Sequence, residues 1–318
     1  MSDIPNAPAI SATGLRKSFG DHVVLDGIDL TVPAGTIYSM LGPNGAGKTT
    51  TVQILSTLSA ADSGDIRVGG HDVTADPGAV RELIGVTGQF SAIDELLTGR
   101  ENLLLMGDLW HLPRRDRARR ADDLLARFDL AEAGNKVASA YSGGMQRRLD
   151  LAMTLVGEPR IIFLDEPTVG LDPRSRRAMW DVIRDLVAGG VTIFLTTQYL
   201  EEADALAHRI AVLDHGRIVA EGTADQLKRL VPGGHIRLDF DSRPDLDRAA
   251  ELLGGVPRAE DLTLAVPSDG GVATLRSVLD RLDAAGLEPA GLSVHTPDLD
   301  DVFLTLTGDP GRTPATTR

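Results

Sequence analysis

Three short runs in this chain have residue types and spacings suited to handling phosphate. The first, Gly42-Pro43-Asn44-Gly45-Ala46-Gly47-Lys48-Thr49-Thr50, fits the pattern G-x-x-x-x-G-K-[ST]. Glycines let successive backbone N–H groups turn inward around phosphate oxygens, and a helix that follows adds the positive end of its dipole. Lys48 is placed to reach β- and γ-phosphates, and the Thr49 hydroxyl to bind Mg²⁺. Lysine occurs only at positions 17, 48, 136 and 228; every other basic side chain is Arg. At Lys48 a compact ammonium stands where a point charge suits phosphate better than a guanidinium fork. The bland alternative is a glycine-rich turn with a chance lysine.

The second run, Ile161-Ile162-Phe163-Leu164-Asp165-Glu166, is apolar and ends in two carboxylates. It reads as a buried central strand of a parallel sheet, and ligands in such folds bind at the carboxyl ends of strands. Asp165 would then sit beside Mg²⁺, through water, and Glu166 one residue on could polarise an attacking water. Without the glycine loop, two adjacent carboxylates would more simply be a solvated strand end. The third run is Tyr141-Ser142-Gly143-Gly144-Met145-Gln146. Ser142 is a good N-cap for the helical pattern that follows, and bare glycine backbone can approach an anion there. Alone it is an ordinary capped helix.

In this order the three runs resemble the ATP-binding cassette (ABC) family. The resemblance implies an ATPase whose site closes when the glycine loop of one subunit meets the Ser142-Gly143-Gly144 signature of another, so ATP and Mg²⁺ are the implied ligands. It also implies that Phe19 stacks on adenine, the alternative being a core Phe. Gln89 would touch Mg²⁺ and report nucleotide state to a membrane partner, the alternative being a polar loop residue. Asp172 would face the opposite subunit. Tyr141 and Met145 depart from the commoner Leu and Gln of the signature. The clearest departure is Gln198, where most relatives have His: its amide can hydrogen-bond the γ-phosphate but carries no charge and shuttles no proton. Thr87-Gly88-Gln89-Phe90, Leu97-Thr98-Gly99-Arg100-Glu101-Asn102, Thr196-Thr197-Gln198-Tyr199 and the closing Pro297-Asp298-Leu299-Asp300-Asp301-Val302-Phe303-Leu304-Thr305-Leu306-Thr307-Gly308 resemble the daunorubicin-resistance-type branch.

The elements that must position these residues follow from pattern. Residues 36–41 read as the strand before the glycine loop and 47 to about 58 as the helix after it. A β-rich start, a helix-rich stretch of about 95–155, strands at 161–164 and 191–196, and a hairpin over 209–219 complete a cassette spanning 1–232. Val231-Pro232-Gly233-Gly234 marks a boundary. Beyond it the order strand (236–240), helix (about 244–253), strand (262–266), helix (270–285) and strand (291–295) suggests a small α+β module of ferredoxin-like type over 233–308. The Pro- and Thr-rich 309–318 reads as a disordered tail. The expected fold class is α/β: a P-loop nucleotide-binding domain with a mixed sheet core and helical subdomain, plus the C-terminal accessory domain.

Composition narrows the partners. No apolar run approaches the roughly eighteen residues a bilayer span needs, no signal peptide opens the chain, and cysteine is absent. The expectation is a peripheral protein on the cytoplasmic face of the membrane, paired with a second cassette and with a separate permease of about six spans per chain, as the resemblance implies. A net charge of −14 argues against nucleic acid, which needs clustered positive charge. Residues 235–318 carry half of it, with 8 Arg against 15 Asp plus Glu. The basic run Arg114-Arg115-Asp116-Arg117-Ala118-Arg119-Arg120 reads mainly as a solvated helix face, the alternative being contact with a permease loop or anionic lipid. A soluble ABC module acting on ribosomes or DNA fits less well, lacking a second cassette in the chain, basic linkers and any zinc module. A guanine-specific site is disfavoured because no aspartate follows Asn135-Lys136 at the place such a site needs.

Overall fold

The computed structural model describes residues 8–88, 92–230, 234–268, 270–295 and 297–307. By its internal contacts the chain divides into two units, Met1–Ala224 and Asp225–Arg318.

The first unit opens with an antiparallel sheet made of β1 (Ile10–Phe19), β2 (His22–Val32), β4 (Ser63–Val68) and β5 (His71–Asp72), in the order β2-β1-β4-β5. Between β2 and β4 the chain runs through β3 (Ile37–Leu41), the glycine loop and α1 (Lys48–Leu55). It continues with α2 (Pro77–Leu83) and β6 (Ile84–Thr87), then the helical stretch α3 (Gly99–Leu109), α4 (Arg114–Arg127) and α5 (Gly143–Thr154). After these come β7 (Ile161–Asp165), α6 (Pro173–Ala188), β8 (Thr192–Thr197), α7 (Leu200–Leu206) and the hairpin β9 (Arg209–Asp214) and β10 (Arg217–Gly222). The second sheet has the order β10-β9-β3-β8-β7-β6, parallel from β9 to β6 with β10 antiparallel at its edge.

Strand alternation gives this second sheet two dry faces. Ile162 and Leu164 of β7, with Ile193 and Leu195 of β8, pack on the helical side against Leu149, Trp180 and Ile183. Ile161, Phe163 and Phe194 point the other way, onto Tyr38, Val52, Ile54 and the buried residues of the antiparallel sheet. Burial on both faces leaves only the strand ends free to carry polar groups, and β3, β7 and β8 run parallel, so their carboxyl ends lie on one edge.

The expected helices and strands are present with bounds shifted by a few residues, and the β-rich start resolves into a separate antiparallel sheet. The basic run forms the start of α4, where its arginines meet carboxylates: Arg117 pairs with Asp108, Arg119 with Asp116 and Arg120 with Glu158.

The second unit begins within a short helix, α8 (Ala224–Lys228), and then runs β11 (His235–Asp239), α9 (Arg243–Leu253), β12 (Val256–Arg258), β13 (Thr263–Pro267), α10 (Val272–Ala284), β14 (Gly291–His295) and α11 (Leu299–Thr307). Its antiparallel sheet has the order β12-β13-β11-β14, the βαββαβ arrangement of a ferredoxin-like module. Ile236 and Leu238 pack with Leu264 and Val266 against Leu246 and Ala249 of α9 and Val278 and Leu282 of α10. The three-residue β12 escapes the sequence pattern because it contains Pro257, which is tolerated only at an edge, where β12 lies. The unit starts at Asp225, ahead of the Pro-Gly-Gly boundary read from sequence; Val231, Pro232, Gly233 and the 309–318 tail lie outside the described residues.

Candidate active site

The glycine loop leaves β3 and closes on α1. Gly47 has φ 112°, and a Cβ there would come within 2.6 Å of Leu25 Cδ2 and 2.9 Å of the Val24 carbonyl, so only glycine fits. No side chain caps α1. Its first-turn N–H groups have no partner within the helix, and Gly47, Lys48, Thr49 and Thr50 line a cavity of about 600 Å³. A dipole end, unclaimed amides and an ammonium in one concavity fit a polyanion.

Lys48 is buried. Its Nζ donates to the carbonyls of Gly42 (2.8 Å) and Pro43 (3.1 Å) and lies 3.4 Å from Glu166 Oε1. Asp165 ends β7 buried, accepting a hydrogen bond from the Thr196 hydroxyl of the adjacent β8. Glu166 follows at φ 50°, a backbone turn that lifts its side chain out of the strand and into the cavity; its N–H donates to the Thr196 carbonyl at 3.1 Å. Hard carboxylate and hydroxyl oxygens at Asp165 and Thr49 are the donor type that Mg²⁺ takes. Phe19 stands at the rim of the same cavity, 53% exposed, with Lys17 Nζ 5.1 Å from its ring centre. It is therefore not a core Phe.

A second cavity of about 570 Å³ shares Asn44 and Glu166 with the first and is lined on its far side by Gln198, Gly143 and Arg147. Gln198, one residue past β8, thus lines this second cavity together with Glu166 and does not line the Lys48 cavity. Ser142 caps α5, accepting from Met145 N at 3.3 Å, and both Ser142 and Gly143 are exposed. A Cβ on Gly144 would come within 2.6 Å of Ser175 Oγ. Tyr141, the variant first residue of the run, is buried, donates to the Ala133 carbonyl at 2.8 Å and occupies the space a Cβ on Gly99 would need.

Asp172 caps α6, accepting from the N–H groups of Arg174 (2.9 Å) and Ser175 (3.0 Å), while the Ser175 hydroxyl donates to its other oxygen at 2.6 Å. The Ser175 bonds, first through the hydroxyl and then the amide, hold this exposed carboxyl below its usual range. Gln89 lies outside the described residues.

Two groups escaped the sequence reading. Arg147 on α5 is largely buried, and its guanidinium reaches four backbone carbonyls, two of them at Asp165 and Glu166. The signal was an Arg and an Asp three apart on a helix whose next turn is apolar. Glu202 of α7 is fully buried and accepts at Oε1 from the Thr168 hydroxyl (2.8 Å) and Trp180 Nε1 (3.1 Å). Burial pushes its carboxyl up, against those hydrogen bonds and the nearby Arg176. Nothing in the local sequence separates Glu202 from its exposed neighbour Glu201.

The match to known proteins decides the family. The ABC transporter family model matches residues 25–169. The chain is 51% identical to the daunorubicin resistance ATP-binding protein DrrA3 of Streptomyces coeruleorubidus over 96% of its length and 97% of the relative's. The chain belongs to the ABC transporter family, as an ATP-binding subunit. This ABC subunit is also 47% identical to the daunorubicin/doxorubicin resistance protein DrrA of Streptomyces peucetius, covering 95% of this chain and 93% of the other. To the Nod factor export ATP-binding protein I of Sinorhizobium fredii it is 38% identical, over 94% and 86%. Among solved structures, the ATP-binding subunit of an ABC transporter superposes with a TM-score of 0.63 at 27% identity, covering 70% of this chain and 92% of that one. The ABC subunit has no helix long and apolar enough to cross a membrane among its described residues.

Proposed function

We propose that this ABC subunit hydrolyses ATP to power export of a hydrophobic drug, antibiotic or lipid-like compound through a separate permease. Support for the cargo class comes from relatives named for daunorubicin and doxorubicin resistance and for Nod factor export. Support for hydrolysis comes from one observation above all: Lys48 and Glu166 converge on a single cavity at the carboxyl edge of the parallel sheet.

In this reading the glycine loop and the first turn of α1 bind the phosphates, and Phe19 stacks on the base at the cavity rim. Lys48 places its charge on the γ-phosphate as charge develops there. Glu166 orients and polarises the attacking water, and Gln198 holds that water or the γ-phosphate by its amide. Thr49, Asp165 and Gln89 would hold Mg²⁺, which when bound neutralises phosphate charge. Ser142, Gly143 and Gly144, the first two of them exposed, receive the ATP of a second cassette, the simplest assembly being a homodimer with two small permeases of about six spans each. Asp172 faces that second cassette while capping its own helix. Residues 1–232 act as the cassette and 233–308 as an accessory module. The subunit sits on the cytoplasmic face of the membrane through its permease, and its acidity keeps it from nucleic acid.

The test is transport in inside-out vesicles holding the subunit with the membrane protein that co-purifies with it. ATP-driven uptake of an anthracycline, followed by its fluorescence quenching and lost in Lys48→Ala, is the expected result. ATP hydrolysis without uptake of any amphipathic drug would overturn the cargo class, and no hydrolysis would overturn the enzyme.

A further inference from the structure

Arg147 stands on the first turns of α5, just behind the Ser142-Gly143-Gly144 segment. Its Nε donates to the Pro167 carbonyl at 2.8 Å. Nη1 donates to the Gly88 carbonyl at 3.1 Å and to Asp150 Oδ2 at 3.3 Å, and Nη2 to the carbonyls of Asp165 (3.2 Å) and Glu166 (3.4 Å). A guanidinium has five N–H donors in a fixed fork, and each has an acceptor here. Asp150 completes the arrangement: its other oxygen accepts from Ala92 N at 3.1 Å. The Arg147 side chain is 15% exposed and that of Asp150 5%, so the bonds form largely out of water, where they are strong and costly to lose.

One ion pair on the signature helix therefore grips two separate stretches of chain, 165–167 and the flanks of 89–91. It holds the backbone of Asp165 and of Glu166, whose carboxylate lines the Lys48 cavity. It holds the loop after them at Pro167. It also holds Gly88 and Ala92, the residues on either side of the Gln89 segment. None of these contacts reaches the glycine loop or Lys48.

We propose that Arg147, with Asp150, is a positioning pair that locks the signature helix to the Asp165–Glu166 strand end and to both flanks of the Gln89 segment, and so sets turnover rather than ATP affinity. The inference rests on the ATPase reading above. Moving a catalytic carboxylate by about 1 Å can cost on the order of 10²-fold in rate. The glycine loop, the first turn of α1 and Lys48, which hold the phosphates in the proposed reading, are left intact. Lysine, with three donors radiating from one atom, cannot span the four carbonyls but can satisfy some of them.

The full-length chain with Mg²⁺ and ATP provides the test, as kcat and KM for Arg147→Met, Arg147→Lys, Asp150→Asn and the Lys/Asn double variant, with ATP affinity measured by fluorescent-nucleotide displacement. Arg147→Met should lose roughly 10²-fold in kcat with ATP affinity within about twofold, and Arg147→Lys should regain about tenfold of that. The double variant should fall little further than Arg147→Lys alone, because the pair acts as one unit. Parental kcat in Arg147→Lys and Asp150→Asn would overturn the proposal. So would equal losses of kcat and affinity that track a lowered unfolding midpoint, since that is the signature of a merely structural bond. If Arg147→Met does not fold, Arg147→Lys decides. Failure of the unaltered chain to bind ATP would overturn the ATPase reading itself, a result separable from any behaviour of the variants.

Discussion

Lys48 Nζ lies 3.4 Å from Glu166 Oε1, joining the helix after the glycine loop to the residue after β7. The side chains are 5% and 10% exposed, so each is the other's partner in a poorly solvated place. Removing one member of such a pair costs more than its attraction alone, because the remaining charge is left buried. In a site built to bind ATP, the γ-phosphate would compete with Glu166 for the same ammonium. Substitutions at either position therefore read out both chemistry and pairing.

Lys48→Ala should weaken ATP binding and lower turnover by at least 10²–10³-fold, the scale of a lost preorganised charge contact. Measurement of ATPase rate and nucleotide affinity in the same preparation checks both parts. Near-parental hydrolysis would remove the cavity from consideration as the site.

Glu166→Gln should leave ATP binding intact while abolishing hydrolysis, since the amide keeps the shape but cannot polarise water. ATP and Mg²⁺ should then hold two chains together, seen as a doubled mass by size-exclusion chromatography with light scattering. A variant that binds ATP tightly and stays monomeric would count against a site shared between two chains.

Gln198 shares its cavity with Glu166 and Gly143. Gln198→Ala should slow hydrolysis about 10²-fold with ATP affinity little changed. Gln198→His should keep activity and acquire a pH dependence near the imidazole range, because the ring replaces the donor and also titrates. A parental rate for the alanine variant would make Gln198 a bystander.

Glu202 gives the pH prediction. Burial raises its folded-state pKa above the unfolded value, so the folded chain binds the proton more tightly. The penalty on folding is absent below the unfolded carboxyl range and grows as pH rises through it toward the folded value. Glu202→Gln keeps an oxygen for Thr168 and Trp180 and has no proton to lose. Its unfolding midpoint relative to the parent should therefore climb as pH rises above the ordinary carboxyl range, from about pH 4 upward. Parallel midpoints across that range would mean that Glu202 is not held against ionisation.

The residues that converge on the Lys48 cavity were legible because their patterns are local: a glycine loop, its lysine and a strand ending in carboxylates each announce themselves within nine residues or fewer. The C-terminal module was legible from its alternation of strand and helix, apart from β12. What could not be read was joined across sequence. Arg147 meets Gly88 and Asp165 only because α5 packs beside β6 and β7, and Glu202 meets Thr168 and Trp180 only because α7 folds back on α6. Phe19 was legible as an aromatic but not as an exposed one, since exposure depends on where β1 ends relative to the glycine loop.

The packing of Tyr141 over Gly99 ties two positions into one inherited choice. A Cβ at position 99 and a phenol at position 141 exclude each other in this backbone, and the phenol is anchored by its bond to Ala133. A lineage that trades the tyrosine for an aliphatic side chain frees position 99 to vary. One that first acquires a larger residue at 99 must lose the tyrosine or shift the start of α3. Among relatives, the two positions should therefore covary, with glycine at 99 accompanying tyrosine at 141 and released where the ring is gone.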